Sequence, residues 1–69
     1  MIEKTKKVTD KNRAERMVYL ANRFEIAATA KKKKNWFLVT FEIMEHQQTR
    51  WNNLLNDFRK EFKTVTDGI

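Results

Sequence analysis

The chain has 69 residues and a net charge of +6, with one histidine, one glycine, no cysteine and no proline. Without cysteine there is neither a disulfide nor a thiolate metal site, and a lone His46 excludes a multi-histidine one; no metal or cofactor is expected. At 41% hydrophobic and 12% aromatic residues the chain is too apolar for a disordered tail, yet no apolar run approaches the roughly 20 residues that span a bilayer.

Residues 1–8 read as a basic N-terminal arm, residues 9–66 as one small domain and residues 67–69 as a tail. The opening Met1-Ile2-Glu3-Lys4 lacks the apolar stretch of a secretory signal, so a cytoplasmic or otherwise intracellular protein is expected. A first helix is predicted to start at Thr9 or Asp10, either of which can cap it. From there Ala14, Met17, Leu20, Ala21, Phe24 and Ala28 recur at helical spacing and form one stripe. Ala, Arg, Glu, Leu and Lys dominate up to Lys34, and the lysine run suits the negative end of a helix dipole. Ile26 falls opposite the stripe.

Asn35 is the one plausible internal stop. Beyond it Phe37, Phe41, Met44, Trp51, Leu55, Phe58, Phe62 and Val65 alternate spacings of four and three, with polar Gln48 filling the one gap. That is a heptad-like seam. The expected fold is therefore all-α: an antiparallel helical hairpin of about 10–34 and 36–65. Such a hairpin leaves Ile26, Leu38 and Val39 exposed, so it is expected to dimerise into a four-helix bundle.

An alternative reading is α+β in the order α-β-β-α. Phe37, Val39, Phe41 and Ile43 also alternate like a strand, and 24–30 can pair with 36–44 as a hairpin whose turn is the lysine run. Ala-Ala-Thr-Ala is a poor strand, however, and the turn lacks the glycine that tight hairpins prefer.

The charge is one-sided. Met1 to Lys34 carries eleven Lys/Arg and four Asp/Glu, a net of +7, whereas Asn35 to Ile69 carries four and five, a net of −1. Such asymmetry favours an anionic partner. The candidate contacts to a nucleic acid are Lys6, Lys7, Lys11, Arg13, Arg16, Arg23, the run Lys31, Lys32, Lys33 and Lys34, and Trp36 as a base-stacking aromatic. Leu38, Val39, Phe41, Met44, Trp51, Leu55, Phe58 and Phe62 are the candidate partner interface. No recognition-helix, zinc-finger or RNA-binding signature is present, so little sequence specificity is expected for DNA or RNA.

Two function classes result. The first is a small basic nucleic-acid-binding accessory protein that holds phosphates through its N-terminal half and lysine run. The second is a small inhibitor or adaptor, of viral or mobile-element type, that docks an apolar helix face on a larger host protein with an acidic patch. Either is expected to act as a homodimer, without a membrane or a small-molecule substrate. His46 with Glu42 and Glu45 lacks the companions that catalysis or metal binding needs, so no enzyme is expected. Gln47, Gln48 and Thr49 interrupt the seam and are candidate register-setting polar positions.

Overall fold

A period of two, not the helical period, governs the middle of the chain. The computed structural model describes residues 1–62, in the order β1 (Ile2–Val8), α1 (Lys11–Arg23), β2 (Ala27–Lys32), β3 (Phe37–Ile43), a 3₁₀ turn (Glu45–Gln47) and α2 (Gln48–Phe62). The strands form one sheet in the order β1-β3-β2, with β3 antiparallel to both neighbours. The outer strands are thus parallel to each other with β3 between them, a split β-α-β unit.

This arrangement overturns the all-α helical hairpin of about 10–34 and 36–65, and the four-helix bundle with it. Phe37 and Phe41 satisfy both the heptad and the strand period, so the seam runs unbroken through them in the sequence. Their neighbours decide between the two. Val39 and Ile43, off the seam, are 0% and 1% exposed, whereas Met44, on it, is 47% exposed. The α+β alternative has the class and the antiparallel pair in the middle of the chain, but it starts the first strand too early and ends it too soon: residues 24–26 close α1, and Lys31 and Lys32 belong to β2 rather than to the turn. Its two objections fail for physical reasons. The connection of residues 33–36 is a four-residue loop closed by the Lys33 N–H donating to the Trp36 carbonyl at 2.8 Å, and loops of that length need no glycine. Strand β2 is an edge, so its alanines pair through backbone on one side only.

The sequence reading also missed β1. Residues 2–8 are not a loose arm: each pairs with β3, from Ile2 opposite Ile43 to Val8 opposite Phe37. Val8 is part of the core. The expected tail at 67–69 and the last seam residue, Val65, lie outside the described residues.

Helix α1 begins where its cap predicts. The Asp10 carboxylate accepts from the backbone N–H groups of Asn12 at 2.8 Å and Arg13 at 3.4 Å. It buries Ala14, Met17, Leu20 and Ala21 against the sheet. It ends at Arg23 rather than Lys34. The Ile26 N–H bonds the Ala21 carbonyl and the Glu25 N–H bonds the Asn22 carbonyl, a Schellman motif. The motif needs a left-handed residue, and here Glu25 takes it with φ of 60°. A side chain in that conformation costs roughly 1 kcal/mol or more. Ile26, the misfit of the helical stripe, is buried as the chain turns into β2.

Helix α2 closes the same face of the sheet. Trp51, Leu54 and Phe58 are buried. The Phe41 ring lies 5.3 Å from Trp51 and 5.8 Å from Phe58, in tilted contacts that aromatic quadrupoles favour. Among the described residues Gln47 is the one buried polar side chain. Its Oε1 accepts from the Met44 N–H at 2.9 Å and its Nε2 donates to the Glu25 carbonyl at 2.8 Å. It therefore fastens the start of α2 to the end of α1. The seam interruption at Gln47 to Thr49 is this junction and not a register device.

Candidate nucleic-acid interface

Both helices sit on one face of the sheet, so among the described residues no element covers the other face, called here the open face. Strand alternation puts Leu38, Thr40 and Glu42 of β3 on that open face, and the pairing register fixes their neighbours. Three rows cross the sheet: Lys7–Leu38–Lys31, then Thr5–Thr40–Thr29, then Glu3–Glu42–Ala27. The face is therefore basic at the end nearest the β2–β3 loop and acidic at the other, with threonines between.

Trp36 stands at the basic end. It is half-buried, and the Lys7 ammonium lies 5.0 Å from the indole centroid. That is a cation–π distance. The lysine run is shared between two sides of the hairpin. Lys31 faces the open side and Lys32 the helix side, while Lys33 and Lys34 occupy the loop. Among the described residues the ion pairs are Lys11–Glu15, Arg16–Glu61 and Arg50–Glu25, so no carboxylate neutralises Lys7 or Lys31 to Lys34. Like charges on Lys31 to Lys34 are tolerated because water and salt screen exposed groups.

The remaining basic candidates lie elsewhere. Lys6 is half-buried on the helix side of β1, opposite Val39, and Lys4 precedes it on the same side. Lys11, Arg13, Arg16 and Arg23 are carried by α1, behind the sheet. Two of them hold the helices together. Arg16 makes a two-point pair with Glu61, at 2.8 and 3.1 Å, and Arg13 lies 5.5 Å from the Phe62 ring centroid. The hydrogen bonds from Arg16 hold the Glu61 carboxyl below its ordinary value, and those same bonds raise the guanidinium. Arg16 also stacks 5.1 Å from exposed Tyr19. The single basic flank expected from α1 and an arm is thus divided between two faces.

The expected partner interface is largely interior. Val39, Phe41, Trp51 and Phe58 are core residues of this chain, and Leu55 and Phe62 pack against them. Leu38 is half-buried on the open face, and Met44 is exposed. Of the residues that called for a helical dimer, Ile26 and Val39 are buried in this chain's own core, and Leu38 stays on the open face. Glu42 lies on the open face while Glu45 and His46 are exposed in the 3₁₀ turn; among the described residues no cluster of His, Asp or Glu is arranged to hold a metal. No described helix is long and apolar enough to cross a membrane. The acid and threonine rows of the open face escaped sequence reasoning: the period-two reading of 36–44 places Thr40 and Glu42 on one face, but their partners Thr5 and Glu3 depend on β1. No family model matches the chain, and no curated protein or solved structure is significantly similar to it.

Proposed function

We propose that the chain binds nucleic acid through the basic end of its open sheet face and the adjoining loop. The observation that carries this reading is the placement of Lys7 and Lys31 on either side of Leu38, beside Trp36 and the loop lysines Lys33 and Lys34, with no carboxylate pairing any of those lysines among the described residues. Strands lie about 4.8 Å apart, so Lys7 and Lys31 stand roughly 10 Å apart across the face. They bracket an aromatic and an aliphatic side chain. Phosphates lie on the lysines and an unstacked base lies on the indole, which exchanges its ammonium contact for a base. Nothing on the face provides the paired donors and acceptors that read base edges, so affinity is electrostatic and tolerant of sequence.

Fluorescence anisotropy against labelled duplex DNA, single-stranded DNA and RNA hairpins, repeated across salt concentrations, tests this. Binding is expected to weaken steeply with salt. Replacing Lys7, Lys33 and Lys34 by Gln is expected to reduce the logarithmic salt slope by about 2–3. Binding that is absent at low salt, or a slope unchanged in the triple variant, rejects the reading.

A further inference from the structure

The sheet has two outer edges, and they differ. Edge strands expose unpaired backbone groups, and charged side chains are the usual protection against pairing with another chain. Strand β1 carries Lys4, Lys6 and Lys7 along its length. Strand β2 begins Ala27-Ala28-Thr29-Ala30, and only then reaches Lys31 and Lys32. Five of its six residues are exposed, Ala28 being half-buried, and its outer side is unpaired among the described residues.

The hydrogen-bond phase of that edge is fixed. Lys33 donates to Trp36 at the loop, so in the alternating antiparallel ladder the pairs Lys31–Leu38, Thr29–Thr40 and Ala27–Glu42 exchange bonds. The N–H and C=O groups of Ala28, Ala30 and Lys32 therefore point outward, available to a further strand.

The open face beside this edge contains an electrostatic mismatch. Glu3 and Glu42 are directly opposite on neighbouring strands, an arrangement of like charges that destabilises a sheet. Ala27, next in that row, offers only a methyl group. Asn22, Ala27, Ala28, Thr29, Thr40 and Glu42 frame a hollow of about 230 Å³ there. No cation of the same chain reaches Glu3 or Glu42 among the ion pairs of the described residues.

We propose that β2 is a self-pairing edge: two copies of the chain join β2 to β2, antiparallel, about a two-fold axis at Thr29. In that register Ala28 of one copy meets Ala30 of the other, so the outward backbone groups match. Ala27 of one copy meets Lys31 of the other. The acidic row continues as Glu3–Glu42–Ala27 from one copy and Lys31–Leu38–Lys7 from the second. The incoming Lys31 crosses the small Ala27 and its ammonium enters the hollow beside Glu42. The two-fold axis repeats this pair, so the dimer contains two of them. A basic end and an acidic end on one face make the sheet complementary to a second copy of itself. The three-stranded sheet becomes six-stranded, with threonines from both copies across its middle.

Multi-angle light scattering and sedimentation velocity of the full chain, from low to high micromolar protein, measure this directly. The wild type is expected to reach twice the 8.4 kDa chain mass. Ala30→Pro removes an outward N–H without touching the bonds to β3, a position where an edge strand accepts proline. It is expected to be monomeric with an unchanged circular-dichroism spectrum. Lys31→Glu sets three acids together and is expected to weaken dimerisation by roughly tenfold or more, while the swap Lys31→Glu with Glu42→Lys restores it. The swap decides the matter if Ala30→Pro does not fold. A wild type that stays monomeric throughout the range, a folded Ala30→Pro that still dimerises, or a charge swap that fails to restore the dimer overturns the proposal. The readout is mass in the absence of nucleic acid, so it stands or falls separately from phosphate binding, which in the dimer falls to Lys7, Lys33 and Lys34.

Discussion

Strand β3 presents two surfaces of opposite character within seven residues. On one side Val39, Phe41 and Ile43 are at most 1% exposed beneath the two helices. On the other Leu38, Thr40 and Glu42 face outward between lysines, threonines and a glutamate. The covered side is a conventional core, where the free energy of folding comes from apolar area removed from water. The open side does little for that balance and even contains the opposed pair Glu3 and Glu42. Antiparallel sheets tolerate this division because only one face must be buried. Stability and the recognition proposed for the open face are therefore expected to respond separately to substitutions one residue apart.

The strongest break in that comparison is Phe41→Ala. Phe41 is fully buried and touches both Trp51 and Phe58, so truncation is expected to cost about 3–5 kcal/mol. A domain of this size has little more than that in total. Most of the cooperative thermal transition is expected to disappear. Thr40→Ala, on the adjacent open position, is expected to stay within about 0.5 kcal/mol of wild type. Chemical denaturation of the two variants checks the contrast, and equal effects reject the division into faces.

Gln47→Leu is next. The side chain is buried and doubly hydrogen-bonded, and removing it leaves the Met44 N–H and the Glu25 carbonyl without their partner. The expected loss is about 1–3 kcal/mol despite the gain in apolar surface. Hydrogen exchange is expected to rise at the Met44 amide. On the open face, Trp36→Ala is expected to weaken single-strand binding by about 1–3 kcal/mol. Duplex binding, carried by the lysines, changes less. Loss of duplex affinity to the same extent points to a misplaced loop rather than to stacking.

Much of the covered layer is legible in the sequence, and the reasons for the failures are specific. The start of α1 is written in Thr9 and Asp10, of which Asp10 caps, and the apolar face of α2 in Trp51 and Phe58, although the buried leucine is Leu54 and not the seam residue Leu55. The end of α1 is hidden because Glu25, not glycine, takes the left-handed position of the stop. Strand β1 is hidden because its edge position lets Lys4 and Lys6 occupy the helix side, where an alternation of apolar residues normally marks a strand. Phe37 and Phe41 mislead because two residues four apart fit a helix as well as a strand. The lysine run and Trp36 were visible from composition, but their meeting with Lys7 depends on β1 and could not be seen without it. Lys11, Arg13, Arg16 and Arg23 show the reverse: charge alone grouped them with the run, and the fold places them behind the sheet.

Glu25→Gly tests the hidden stop. It relieves the left-handed strain and gives up an ion pair to Arg50 whose side chains are 46% and 75% exposed. Exposed pairs contribute little, so the backbone effect is expected to win and stabilise the domain by about 0.5–1 kcal/mol. A rise of a few degrees in melting temperature is the expected readout. No gain, or a loss, means that the Arg50 pair matters more than its exposure suggests.

The smallest expected effect concerns Arg16 and Glu61, on the outer side of the two helices and far from the open face. Arg16 hydrogen bonds lower the Glu61 pKa in the folded chain. The unfolded chain therefore takes up a proton first as the solution is acidified. The pair contributes in full at pH values above the ordinary glutamate range. Its contribution falls as acid passes through that range and is gone below the lowered value. Arg16 stays charged throughout. Both groups are substantially exposed, with side chains at 45% and 35%, so the contribution is small and screened by salt. Glu61→Gln is expected to flatten the acid limb of a stability–pH curve without altering nucleic-acid binding at neutral pH. A change in binding places α1 in contact with the ligand and dissolves the separation between the two faces.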